Sequence, residues 1–339
     1  MHHTIKTFIA ALAATFIGLA TAQDVVNVYS ARHYDTDEAL YERFEELTGI
    51  EVRIIEGGSD ELISRMVSEG RNSPADVFLA VDAGRMWRAD QEGLLASINS
   101  PVLNEAVPEA FRHPEGRWFS LTQRVRGIVI ANDRVDPDTI TTYEDVADPA
   151  FEGRVCIRSS SNIYNQSMVA SFIESIGADA TEAWAEGVVR NFARPPQGGD
   201  TDQIRAVAAG ECDVAVVNHY YLSRLIASDD PADNEVADAV TFIYPNQDGR
   251  GAHVNVSAAA VTENAPNREH AIRLVEYLTS PAAQTAFAAS NNEFPIRESA
   301  EASDAARGLG EFVSDKVNVD FYGSNNPEAV RIFDRVRWP

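Results

Sequence analysis

Short apolar runs alternate with segments of helical period along most of the chain. Val25 to Tyr29 reads as a strand ending at Ser30-Ala31-Arg32-His33-Tyr34. Asp35-Thr36-Asp37-Glu38 then opens an amphipathic helix with Leu40, Phe44 and Leu47 on one face and Gly49 at its stop. Asp35 or Thr36 is placed to cap it, with acids in the first turn as the helix dipole favours. Glu51 to Ile55 is the next strand, and Gly57-Gly58-Ser59-Asp60 turns into a helix through Met66 and Val67. Ala75 to Val81 reads as a buried strand, with Asp82 capping a helix in which Trp87 is a core residue. Strand, helix, strand, helix, strand predicts a parallel α/β domain.

A second series repeats the alternation. Trp118 to Leu121 and Arg126 to Asn132 are extended segments around Gln123-Arg124-Val125-Arg126. Arg154 to Ile157 is a strand, Ser159 to Asn162 a polar loop, and Asn165 to Ile176 a helix. Trp184 to Ala193 is a further helix, and another starts at Thr201 and runs to Gly210. Asp213 to Val217 is a buried strand meeting the helical pattern of Leu222 to Ile226. His253 to Val261 is extended and apolar, followed by helices over Arg268 to Leu278 and Ala282 to Ser290 and a C-terminal tail. Two α/β lobes joined by two extended crossings describe a bilobed hinge protein.

Charge and cysteines narrow the setting. The chain has 339 residues and a formal net charge of −24, which argues against nucleic acid and anionic lipid as partners. Its basic residues are nearly all arginine, with Lys6 and Lys316 the only lysines. Mutual repulsion suits a monomer. Lys6, the apolar run Phe8 to Leu19 and Ala20-Thr21-Ala22 have the order of a secretion signal over residues 1–22, too short for a membrane helix. No arginine pair marks the twin-arginine route, and no cysteine at the cleavage site marks a lipid anchor. The mature chain is expected to begin near Gln23, in a periplasm. An oxidising compartment permits a disulfide between Cys156 and Cys212 if the strands they introduce are parallel neighbours, and their spacing matches no zinc motif.

The candidate chemistry lies at strand ends. Tyr34 follows one in the first lobe; Tyr164, Tyr220 and Tyr221 follow strand ends in the second. Open α/β sheets place ligands beyond the carboxyl ends of their strands. Converging phenols, with an ordinary pKa near ~10, become good ligands only beside a highly charged cation. Anionic oxygen donors suit a hard ion, ferric iron being the obvious one, whereas zinc asks for His and Cys and calcium for clustered carboxylates. Four phenolates around Fe3+ leave an excess negative charge, for which Arg124 is the candidate counter-ion outside the ligand shell. His33 is placed to ligate or to hydrogen-bond, and His219 to pack away from the site.

Several stretches carry a resemblance: Asn27 to Tyr34, Ser73 to Val77, Arg158 to Ser167, Asn218 to Tyr221, Tyr244 to Gln247 with Gly249-Arg250-Gly251, and His253 to Ser257. Together they resemble the periplasmic ferric-iron-binding proteins, in their cyanobacterial iron-deficiency branch, from about residue 25 to about 300. The resemblance implies a type II periplasmic-binding fold. Residues 24–126 and 251–300 would form one lobe, and residues 127–250 and 301–339 the other. It implies metal tyrosines at Tyr34, Tyr164, Tyr220 and Tyr221, a histidine at His33 and a supporting arginine at Arg124. The cargo would be Fe3+, with Fe2+ left open, delivered to an ABC importer permease.

Two other functional classes fit the sequence less well. A carrier of an inorganic anion or a polyamine on the same fold would leave four phenols without a purpose. An enzyme finds no support, since the chain shows no nucleophile elbow, Gly-rich phosphate loop or His-Glu metal helix, and no organic cofactor is called for.

Overall fold

The computed structural model describes residues 24–32 and 37–339. The proposed signal segment, His33, Tyr34 and the expected caps Asp35 and Thr36 therefore lie outside the described residues. Nine strands are described: β1 (Val25–Ser30), β2 (Glu51–Glu56), β3 (Val77–Val81), β4 (Phe119–Ala131), β5 (Val155–Cys156), β6 (Val214–Asn218), β7 (Val240–Ile243), β8 (Val254–Val261) and β9 (Phe294–Pro295). Their order is β2-β1-β3-β8-β4-β6-β5, with β7 and β9 also pairing with β4.

β1 pairs with β2 and β3 in parallel, as the strand–helix alternation predicts. The first lobe is nonetheless a mixed sheet. β8 returns from late in the chain and lies antiparallel between β3 and β4. The two extended segments around Arg124 are one strand, β4, which serves both lobes. Its first half, to Val125, pairs with β8; from Arg126 onward it pairs with β6 and β7. Gly127 sits just past this exchange, where an added Cβ would drive into the Phe242 ring, so only glycine lets β7 approach.

Several helices differ from their sequence outline. In the Glu38–Thr48 helix Leu40, Tyr41 and Phe44 are buried while Leu47 is 57% exposed, so the inward face is turned one residue from the expected one. Trp184 lies in the middle of the Ala178–Arg190 helix rather than at its start. Trp87 is half buried rather than core, lying against Gly323, whose missing side chain admits it. The tail forms a helix, Asn326–Val336, that packs on the Ile163–Ile176 and Ala178–Arg190 helices. A short turn of helix, Phe321–Ser324, contacts both the Ala83–Gln91 helix of the first lobe and the Ile163–Ile176 helix of the second.

Asp82 caps the Ala83–Gln91 helix by accepting from Gly84 N–H at 2.9 Å. It does more than cap. Its φ of 90° is unusual for a residue with a side chain. The strain is offset by bonds from Ser167 Oγ (2.7 Å) and Asn255 Nδ2 (2.8 Å) to its carboxylate. Ser167 belongs to the Ile163–Ile176 helix, so this buried carboxylate ties the end of β3 to the second lobe.

β5 and β6 are parallel neighbours, with Cys156 opposite Ala215, and the Cys156–Cys212 disulfide is formed. The link spans 56 residues of sequence, enough for closure of that loop to lower the entropy of the unfolded chain appreciably. Replacing both cysteines by serine is expected to lower unfolding free energy by about 2–4 kcal/mol. Urea denaturation of the oxidised parent and the double variant measures it.

Candidate metal site

The Tyr220–Tyr221 corner is built by an abrupt change from strand to helix. β6 ends at Asn218, whose extended backbone (φ −77°, ψ 138°) leads straight into the His219–Ile226 helix. The tyrosines are thus the second and third residues of a helix, where successive side chains diverge by about 100° rather than pointing to opposite faces. Their rings stack with centroids 4.3 Å apart. Tyr220 is 1% exposed and Tyr221 half buried, and the two share a side-chain hydrogen bond.

Tyr164 stands at the start of the Ile163–Ile176 helix, with its N–H bonded to the Asn162 side chain at 3.1 Å. Its ring lies close to two guanidiniums, Arg124 at 5.6 Å and Arg158 at 5.4 Å from ring centroid to Cζ. Arg224, one turn along the tyrosine helix, sits 4.8 Å from the Tyr220 ring and 5.8 Å from the Tyr221 ring. Arg124 projects from the first-lobe half of β4, so its contact with Tyr164 crosses between the lobes.

Burial raises the pKa of Tyr221 well above the ordinary phenol value, and the neighbouring Tyr164 and Asp200 raise it further; the Tyr220 hydrogen bond and Arg158 oppose them. Tyr221 is therefore held neutral until strong positive charge arrives beside it. Among the described residues no group of three or more His, Cys, Asp or Glu side chains is arranged to hold a metal ion. The phenol oxygens are the candidate donors.

Arg124 and Arg158 in turn lie beside buried acids. Arg124 is 1% exposed, donates to the Val256 carbonyl and lies 4.0 Å from Glu293. Glu293 also pairs with Arg32 at 2.9 Å and accepts from Thr122 at 2.7 Å. Burial alone would raise its pKa, but Arg32 and Arg124 outweigh it and keep the carboxyl below its usual value. Arg32 follows the end of β1, and its Nε reaches Asp37 Oδ2 at 2.5 Å. On the other side, Arg158 lies 3.5 Å from the buried Asp200.

His219 packs between the Tyr220 ring, edge-on at 5.9 Å, and the strand region behind it. Its ring stacks on Phe294 at 4.4 Å, its Nδ1 accepts from Val125 N–H at 3.2 Å, and burial lowers its pKa to about 3. Of the residues singled out from sequence, Tyr164, Tyr220, Tyr221 and Arg124 come together, while His33 and Tyr34 are outside the described residues. Glu293, Asp200, Arg158 and Arg224 were not assigned roles from sequence. Arg224 had a readable signal, since it lies four and three residues after the tyrosines in a helical pattern. Glu293, in Asn-Asn-Glu-Phe-Pro, had none beyond a loop.

Comparison with known proteins identifies the family. The family model described as bacterial extracellular solute-binding protein matches residues 72–309. Iron uptake protein A1 of Synechocystis sp. is 47% identical over 316 residues, covering 93% of this chain and 88% of the relative. The major ferric iron-binding protein of Neisseria meningitidis is 27% identical over 292 residues, 85% of each chain. A solved Trichodesmium protein called IdiA or FutA, in complex with iron and citrate ligands, superposes with a TM-score of 0.91 at 50% identity, covering 93% of this chain and all of that one. The bilobed type II binding-protein architecture is shared with that structure and with a solved ferric binding protein from Campylobacter jejuni, which is 39% identical with a TM-score of 0.87 over 93% of this chain and all of that one. The chain belongs to the bacterial extracellular solute-binding proteins, a family of transport carriers rather than enzymes.

Proposed function

We propose that this protein captures iron in a periplasm and delivers it to an ABC-type importer permease. The observation that carries the reading is the meeting of Tyr164, Tyr220 and Tyr221 beneath Arg124, Arg158 and Arg224. Tyr34 supplies the fourth phenolate from the first lobe, and His33 stands beside it as ligand or hydrogen-bond partner. Residues 24–126 with 251–300, and 127–250 with 301–339, are the two halves that close on the metal. Residues 1–22 direct export and are removed, and the mature chain acts as a monomer.

The chemistry is proton displacement by a hard cation. Fe3+ supplies the charge that lets buried phenols ionise, and anionic oxygen is the donor it prefers. Four phenolates around Fe3+ leave an excess negative charge, which the three nearby arginines offset. Fe2+ is a weaker match, because its lower charge stabilises fewer phenolates. The names of the relatives, an iron uptake protein and ferric iron-binding proteins, support the same cargo. An anion or polyamine carrier gains less support: the arginines face phenol rings, and the buried acids Glu293 and Asp200 already pair with arginine.

Titration with ferric iron is expected to produce a visible phenolate-to-iron charge-transfer band that saturates at one iron per chain. A colourless stoichiometric complex would rule out phenolate ligation. The Tyr220→Phe, Tyr221→Phe double variant should keep only a weakened, shifted band from the remaining phenolates and lose at least about tenfold in affinity while keeping its far-UV circular dichroism.

Two pH effects follow with opposite signs. Protons compete for the phenolates, so lowering pH should bleach the band and release iron. In the iron-free protein Tyr221 has a folded-state pKa above its unfolded value, so the unfolded chain loses that proton first as pH rises through ~10. Its contribution to stability is present below that pH and falls above it. Ultraviolet titration should show several late-ionising phenols, since burial also raises Tyr41, Tyr143, Tyr244 and Tyr322, and one fewer of them in Tyr221→Phe.

A further inference from the structure

Arg126 lies two residues beyond Arg124, where β4 exchanges β8 for β6, and it is 1% exposed. Its main chain is pinned at that step. The N–H donates to the His253 carbonyl at 3.0 Å, and the carbonyl accepts from the Tyr143 hydroxyl. Its side chain reaches into the second lobe and divides there. Nη1 donates to Asp200 Oδ2 and to Asn218 Oδ1, each at 3.1 Å. Nη2 donates to Asn165 Oδ1 at 2.7 Å and to the Val216 carbonyl at 3.1 Å.

Each arm ends beside one tyrosine corner. Asn165 follows Tyr164, and its amide donates to the carbonyls of Arg158 (2.8 Å) and Ser159 (3.2 Å), in the loop that leads into that tyrosine. Asn218 closes β6 two residues before Tyr220, and its own N–H donates to Asp200 Oδ2 at 2.8 Å. One rigid, planar guanidinium therefore spans the two turns that present Tyr164 and the Tyr220–Tyr221 pair.

We propose that Arg126 is a positioning residue that sets the separation of Tyr164 from Tyr220 and Tyr221, and thereby the oxygen geometry offered to the metal. It works through Asn165 and Asn218. The inference rests on the reading of these tyrosines as iron ligands. Charge alone does not suffice for the role. A lysine ammonium carries the same charge and can keep the Asp200 pair, but its compact head cannot hold the forked geometry that joins both corners. Partners outside the ligand shell that orient metal ligands typically matter by 10–100-fold in affinity.

The test compares the mature wild-type chain with Arg126→Lys and Asn165→Ala, each loaded with Fe3+. Three properties are read: the visible band, iron affinity by citrate competition, and far-UV circular dichroism with thermal melting of the iron-free form. The lysine variant is expected to keep the wild-type dichroism, to bind iron at least about tenfold more weakly, and to show a shifted or weakened band. Asn165→Ala leaves the Arg126–Asp200 pair in place and removes only the arm to Tyr164. It should move the band in the same direction with a smaller loss of affinity. A merely structural role would lower melting temperature and leave the band of the folded fraction where it was. An unmoved band with affinity within about twofold of wild type, in either folded variant, overturns the proposal. Should Arg126→Lys not fold, Asn165→Ala decides alone. A wild-type protein without a phenolate band would instead sink the iron reading, an outcome distinct from a coloured wild type with unmoved variants.

Discussion

Phenols removed from water hold their protons unless positive charge stands beside them. That constraint explains the layering around Tyr164, Tyr220 and Tyr221. Arg124, Arg158 and Arg224 lie against the rings. A buried guanidinium in turn needs acids and carbonyls, which Glu293, Asp200 and Val256 supply. The acids carry the same cost of burial, and Glu293 stays ionised because Arg32 and Arg124 flank it. Each shell of charge makes the next tolerable.

The backbone places these shells through one strand. β4 pairs with β8 in the first lobe and with β6 and β7 in the second, so residues two apart on it serve different neighbourhoods. Arg124 faces Tyr164 across the lobes, and Arg126 sits among the turns behind the tyrosines. Near the same region, Asp82 binds Ser167, and the Phe321–Ser324 turn touches a helix from each lobe. The frame is therefore stiff around the hinge strands, with the phenols carried at the starts of helices, where a short change in turn geometry moves a hydroxyl effectively.

Much of the fold was legible because its strands are short apolar runs with helices of clear period between them. The misses have physical causes. Leu47 falls on the outer side because the Glu38–Thr48 helix buries Tyr41 beside Leu40, a one-residue rotation that composition alone does not decide. The mixed first sheet depends on β8, which comes from some 175 residues further along than β3 and whose direction no local pattern records. The split of β4 between two sheets is equally non-local, since both halves are the same kind of apolar sequence.

At the site, residue type and local position were enough to single out Tyr164, Tyr220, Tyr221 and Arg124, because strand ends and helix starts are written in nearby residues. Sequence also determined the acidity of the chain and the availability of two cysteines for a link. Tertiary structure alone decided which acids keep the arginines in place and which guanidinium joins the two tyrosine turns. Glu293 lies 169 positions from Arg124, and Arg126 meets Asn165 and Asn218 only after two separate elements fold onto β4. Chemical character is a property of single residues and their neighbours in the chain; the distance between charges is fixed only when remote segments pack.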